Sequence, residues 1–202
     1  MSLESTIEFN QFYTKIKTEL ENGEPSSELN SDRLHNAAIM KLMLDNGGHI
    51  NMFCGCLSIF RPQFYEKLAM YHQADTAEYV KIEISKSLSK FLSSKVNKLE
   101  VIMESEETSI LSDMIIDKST LTDAIKRGSL SLSILNSNFL WGNSLNHFTF
   151  CAKNSMIRLE EDKIAHSGIY LTRDYTNEED DNLINDAIRT FGELKSRSRS
   201  IA

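Results

Sequence analysis

One histidine of this chain is placed for chemistry. His147 opens residues 146–162, NHFTFCAKNSMIRLEED, which alternate like a strand, turn at residues 153–155 and return through residues 156–160. An imidazole so placed can serve as a nucleophile or carry a proton. On the return strand Arg158 and Glu160 stand two residues apart, so they share one face. They can form a polar site with His147 across the hairpin. The plainer expectation is a cross-strand polar ladder on a solvated face, worth up to about 1 kcal/mol per pair. A second cluster, His49, Cys54 and Cys56, lies within eight residues. On a strand the two cysteines share a face and His49 faces the other way. A Cys-x-Cys without a second pair is a weak zinc signal, so two small buried thiols are expected. His35, His72 and His166 have no acidic or histidine partner at a recognisable ligand spacing. A Gly-rich phosphate loop, a Gly-x-Ser-x-Gly elbow and a His-Glu-x-x-His helix are all absent from the sequence. No metal or cofactor is expected.

The elements that must hold these residues follow from hydrophobic spacing. Ser5 or Thr6 caps a helix to about residue 21, with Phe9, Phe12, Tyr13, Ile16 and Leu20 on one stripe. The break Asn22-Gly23-Glu24-Pro25 ends it, and residues 26–30 read as a polar loop. Asp32 caps a second helix, residues 33–45, stopped by Gly47 and Gly48. Residues 49–60, HINMFCGCLSIF, are apolar on both faces and read as a strand buried between two layers, with Gly55 inside it. Pro62 opens a helix, and Asp75 or Thr76 opens another that runs to about residue 94. Residues 98–104 alternate as a strand, and residues 109–117 and 120–127 read as short helices. Residues 129–136 form a half-exposed strand, and residues 166–173 form another. Thr176 or Asn177 caps a long final helix with Leu183, Ile184, Ala187, Phe191 and Leu194 on its stripe. Early strand–helix–strand alternation followed by a run of strands predicts an α/β fold. Its sheet is mixed and partly parallel, with helices packed on it, in a single domain over residues 1–202. Residues 1–25 form an N-terminal helical arm.

That order of elements, with ILNSNF, then LNHFTFCAKNSMIRLEED and a terminal helix, resembles one half of the phospholipase D superfamily. It is most similar to small bacterial members that carry a single such domain, and the resemblance spans residues 32–196. The resemblance implies an active motif His-x-Lys-x-x-x-x-Asp in two facing copies, from two halves or a homodimer. One histidine forms a phosphohistidine, the other acts as acid, and the lysines hold phosphate oxygens. With His147 at the motif histidine, the lysine position reads Thr149 and the aspartate position Asn154. Thr149 carries no positive charge and cannot clamp phosphate. The resemblance therefore implies a degenerate member, a non-catalytic interaction or regulatory subunit of a bacterial defence or mobile-element system. The competing expectations are a phosphodiesterase or nuclease with its site at a homodimer interface around His147, and a nucleic-acid-binding module.

Composition narrows the partners. The 202 residues are 41% hydrophobic and 25% charged, ordinary for a globular chain that can bury a sizeable core. No apolar run is long enough to cross a bilayer, and the N-terminus lacks a secretory pattern. Three cysteines in apolar surroundings fit a reducing, cytoplasmic setting. A net charge of −7 disfavours adhesion to nucleic acid or an anionic membrane. The local exception is KSRSRS, whose end makes residues 197–202 a basic tail, expected to be solvated and frayed. A protein partner or a second copy is expected, through the aromatic stripe of the first helix or through Phe139 and Trp141 in the loop before His147.

Overall fold

A computed structural model of the chain describes residues 4–30, 32–104, 111–136, 145–152, 155–162, 167–172 and 178–202. The elements are α1 (Glu4–Asn22), β1 (Ser27–Asn30), α2 (Arg33–Asn46), β2 (His49–Cys54), a 3-10 turn (Ser58–Phe60), α3 (Pro62–His72) and α4 (Ala74–Ser93). They continue with β3 (Lys98–Met103), α5 (Lys118–Lys126), β4 (Leu130–Leu135), β5 (Phe148–Cys151), β6 (Met156–Asp162), β7 (Ser167–Thr172), α6 (Glu178–Ser196) and β8 (Ser198–Ser200). Among the described residues the strands form one eight-stranded sheet in the order β1-β7-β6-β5-β2-β3-β4-β8. β2, β3 and β4 run parallel and every other pairing is antiparallel, so the fold is the expected α/β with a mixed sheet.

Strand alternation sends side chains to two cores. Ile50 and Met52 of β2 turn into the larger one, with residues of α1 to α5, while Phe53 turns into a smaller one under α6. The smaller core joins Phe148, Phe150 and Ile157 of the hairpin to Phe191 and Leu194 of α6. α6 is also tied to the sheet by charge: Glu100 of β3 binds Lys195 (2.6 Å), Lys98 (3.0 Å) and His49 (2.7 Å). Among the described residues no helix is long and apolar enough to cross a membrane.

Four expectations change. Residues 26–30 are not a loop: Ser27–Asn30 pairs with β7, Ser27 opposite Leu171, and finishes one edge of the sheet. The strand expected over residues 49–60 stops at Cys54, because Leu57 takes a left-handed conformation (φ 57°) and feeds the 3-10 turn. Of the helix expected over residues 109–117, the described part, residues 111–117, is turns and bends, and Asp117 instead caps α5. The tail is not frayed: β8 pairs with β4, and Leu132 N–H donates to the Ala202 carbonyl (2.8 Å). The N-terminal arm packs on its own domain, with Phe9 and Ile16 of α1 buried in the larger core.

Asp32 caps α2 as predicted, its Oδ1 accepting from the N–H groups of Leu34 (2.9 Å) and His35 (3.0 Å). The same carboxylate meets His35 Nδ1 (3.1 Å) and, from the end of α3, His72 Nε2 (3.0 Å). Burial alone would raise the Asp32 pKa, but the His35 contacts outweigh it and hold the group at about 2, while Asp32 raises that of His35. A depressed carboxylate gives stability that is present above its usual pKa and lost as pH falls through about 2. A raised histidine gives stability that is present below about 6.5 and lost as pH rises through its folded value. Asp32→Ala is therefore expected to lower unfolding free energy by about 1–2 kcal/mol, allowing for solvent screening. Urea unfolding from pH 3 to 9 checks it: the gap from wild type is widest from roughly pH 4 to 6.5 and narrows on both sides. A gap independent of pH leaves only the cap.

Candidate functional site

His147 stands one residue before β5 and is held there by the sheet. Phe148 pairs with Phe53 of β2 on one side and with Leu159 of β6 on the other. His147 therefore sits at the carboxyl ends of the parallel strands, where the chain also leaves β2 for α3. Ligands of open α/β sheets gather at such ends. The backbone anchors it further, since Glu160 N–H donates to the His147 carbonyl (2.8 Å). Alternation brings His147 and Thr149 of one strand and Arg158 and Glu160 of the next to the same face, with Thr149 directly opposite Arg158.

That face is not solvated, which overturns the expected surface ladder. Arg158 is 5% exposed and Glu160 3% exposed. The hairpin residues instead line a cavity of about 260 Å³, completed by Asn36 and Met40 of α2, Lys67 of α3, Met52 of β2 and residues 54–59. His147 Nδ1 lies 2.6 Å from Glu160 Oε2, and Arg158 Nη2 donates to Glu160 Oε1 (3.3 Å). On the other side His147 Nε2 is 3.2 Å from Glu104 Oε2, beyond the end of β3. The ring rests on Gly55, where an added Cβ would come within 3.3 Å of His147 Cε1. A side chain at this position would crowd the imidazole. Burial pulls the Arg158 pKa below its usual value while facing Glu160 works against the drop. Glu160 thus offsets part of the cost of burying the guanidinium.

The sequence-predicted site residues divide cleanly. His147, Thr149, Arg158 and Glu160 come together. Asn154, Phe139 and Trp141 lie outside the described residues. His49 does turn away from Cys54, onto Glu100, and no group of three metal-ligating side chains forms among the described residues. Cys54 and Cys56 are half-buried as whole residues, with the Cys54 thiol itself turned inward, and Cys151 is fully enclosed. Desolvation pushes the Cys54 thiol up to about 12, so it stays protonated at neutral pH. Sequence reasoning missed Lys67 and Glu104, which reach the site from α3 and from the end of β3. Neither carries a local signal, since each is an ordinary charged residue far from His147 in the chain. It also missed that Asp32 serves both His35 and His72. The Asp32–His35 spacing was readable as one helical turn, but the contact with His72 needed the fold. The chain matches no family model, no curated protein and no solved structure.

Proposed function

We propose that the His147 cavity is a phosphoester site, and that the chain is a phosphodiesterase or nuclease on a phospholipase D-like scaffold. One observation carries this reading: the His147–Glu160 pair, backed by Arg158, forms the wall of a cavity that also holds Lys67. A carboxylate on Nδ1 fixes the ring and leaves Nε2 as the nitrogen to react. The resembled motif carries a lysine at the position of Thr149. Here the cations come from the side: Arg158 is the cross-strand neighbour of Thr149, and Lys67 faces them from α3. The observed order of strands, hairpin and final helix is in keeping with the resemblance.

In this chemistry Nε2 forms a bond to phosphorus as the P–O bond to the leaving alcohol breaks. The alcohol oxygen takes a proton from an acid, and water then cleaves the N–P bond. The products are an alcohol and a phosphate monoester, with the imidazole regenerated. His147 of a second copy is the acid that the resemblance implies. His147→Gln is expected to lower turnover of bis(4-nitrophenyl) phosphate or an oligonucleotide by about a hundredfold or more, with the circular dichroism spectrum kept. Turnover that survives the substitution rules this reading out.

A second reading is the non-catalytic interaction or regulatory subunit, of a bacterial defence or mobile-element system. Two features favour it. Thr149 brings no charge, and the Glu104 carboxylate beside Nε2 repels an incoming phosphate. On this reading the wild-type chain turns nothing over, and native mass measurement from its source cell finds it in a stable complex with a protein partner or a second copy.

A further inference from the structure

We propose that a second anion subsite adjoins the His147 cavity, and that the two together take a small organic diphosphate, of the nucleoside diphosphate class. This rests on the phosphoester reading of the first cavity and extends it. The second cavity, about 280 Å³, lies between the start of α2 and the first turns of α3. Among the described residues, its charged lining consists of the cations Arg33, Arg61 and Lys67. Ser58 and Gln63 add polar side chains. This concentration of positive charge stands out in a chain of net charge −7. Arg61 is 6% exposed and is approached at 3.5 Å by Asp113, which does not line the cavity. Its guanidinium is thereby held in a desolvated wall, where an anion is bound more strongly than in water.

The two cavities adjoin. Cys56, Ser58 and Lys67 line both, so Lys67 can bridge an anion in one and an anion in the other. Their order fixes the ligand. One phosphoryl group meets His147, Arg158 and Lys67, and the next meets Lys67, Arg33 and Arg61. Met40, Met52 and Leu57 give the first cavity an apolar wall for an uncharged organic group. Each cavity is smaller than an ordinary ligand pocket of about 300–1,000 Å³, whereas the two volumes together fall within that range. A long polyanion fits less well, because the chain beyond the cavities carries a net negative charge.

Isothermal titration decides the matter, with orthophosphate, with adenosine 5′-(α,β-methylene)diphosphate, whose P–C–P link resists hydrolysis, and with a short single-stranded oligonucleotide. The diphosphate is expected to bind about tenfold or more tighter than orthophosphate. Arg33→Gln lines only the second cavity, so it should remove that advantage and leave orthophosphate binding in place. If Arg33→Gln does not fold, Lys67→Gln replaces an exposed side chain and must weaken the diphosphate about tenfold, and an unchanged affinity overturns the proposal. Orthophosphate binding that His147→Gln abolishes, with no diphosphate advantage, overturns the second subsite and leaves the first reading standing. No orthophosphate binding at all removes both. An oligonucleotide that binds more tightly than the diphosphate, with a steep fall in salt, overturns the small-ligand assignment.

Discussion

Glu160→Ala is expected to lower the unfolding free energy by about 3–5 kcal/mol and to abolish turnover. The stability loss comes from Arg158. Arg158 is 5% exposed, and its facing carboxylate is Glu160. Removing one member of a buried ion pair leaves the other to bear its desolvation cost, which exceeds what the pair gained by forming. Glu160→Gln should cost less, since the amide oxygen can still accept from Arg158. The double variant Arg158→Met/Glu160→Leu should return to within about 1–2 kcal/mol of wild type, because both ions leave together. It should not recover turnover, since the Nδ1 partner of His147 is gone. Urea unfolding of wild type, Arg158→Met, Glu160→Leu and the double variant gives the coupling energy directly. A Glu160→Ala loss below about 0.5 kcal/mol, the range of an ordinary surface change, would mean that the pair is not buried as described.

How far the site could be read from sequence turns on distance along the chain. The hairpin trio was legible, because a turn and two-residue alternation put His147, Arg158 and Glu160 on one face with no tertiary information. Its burial was not. Burial depends on what the tertiary fold sets across that face, which no local pattern encodes, and a solvated ladder was the reasonable expectation. Lys67, Arg33 and Arg61 were invisible for the same reason. The fold shows the same division. α2, α4 and α6 carry regular apolar stripes, and Asp32 and Gly47 mark the two ends of α2. β1, by contrast, is Ser-Glu-Leu-Asn, which has no alternating apolar set. It is a strand because the edge of β7 offers backbone partners, such as Leu171 for Ser27. β8 likewise forms on the open edge of β4 from a sequence that reads as a polar tail.

Gly168→Ala is expected to be as damaging as any core truncation, with a loss of about 3 kcal/mol or more, although it adds a single methyl group. Gly168 of β7 pairs with Glu160 of β6, beside an irregularity in register between Glu160 and Asp162. A Cβ at Gly168 would overlap the Leu159 carbonyl oxygen and sit 2.9 Å from Glu160 Cα. Both obstacles are backbone, so no side-chain rotation relieves them, and β6 must move away from β7. The strand that moves carries the site. Glu160 holds His147 twice, by its carboxylate on Nδ1 and by its N–H on the His147 carbonyl. A shift of Glu160 Cα therefore loosens the imidazole as well as the sheet. Gly55→Ala gives the contrast, because its Cβ would meet the His147 ring at 3.3 Å, a side chain that can yield. It should disturb orthophosphate binding while costing about 1 kcal/mol of stability. Thermal unfolding and orthophosphate titration of the two variants separate these effects. Gly168→Ala should lose both stability and binding, and Gly55→Ala chiefly binding. A Gly168→Ala protein as stable as wild type would show that β6 and β7 do not approach so closely, and the geometry that seats Glu160 beneath His147 would fall with it.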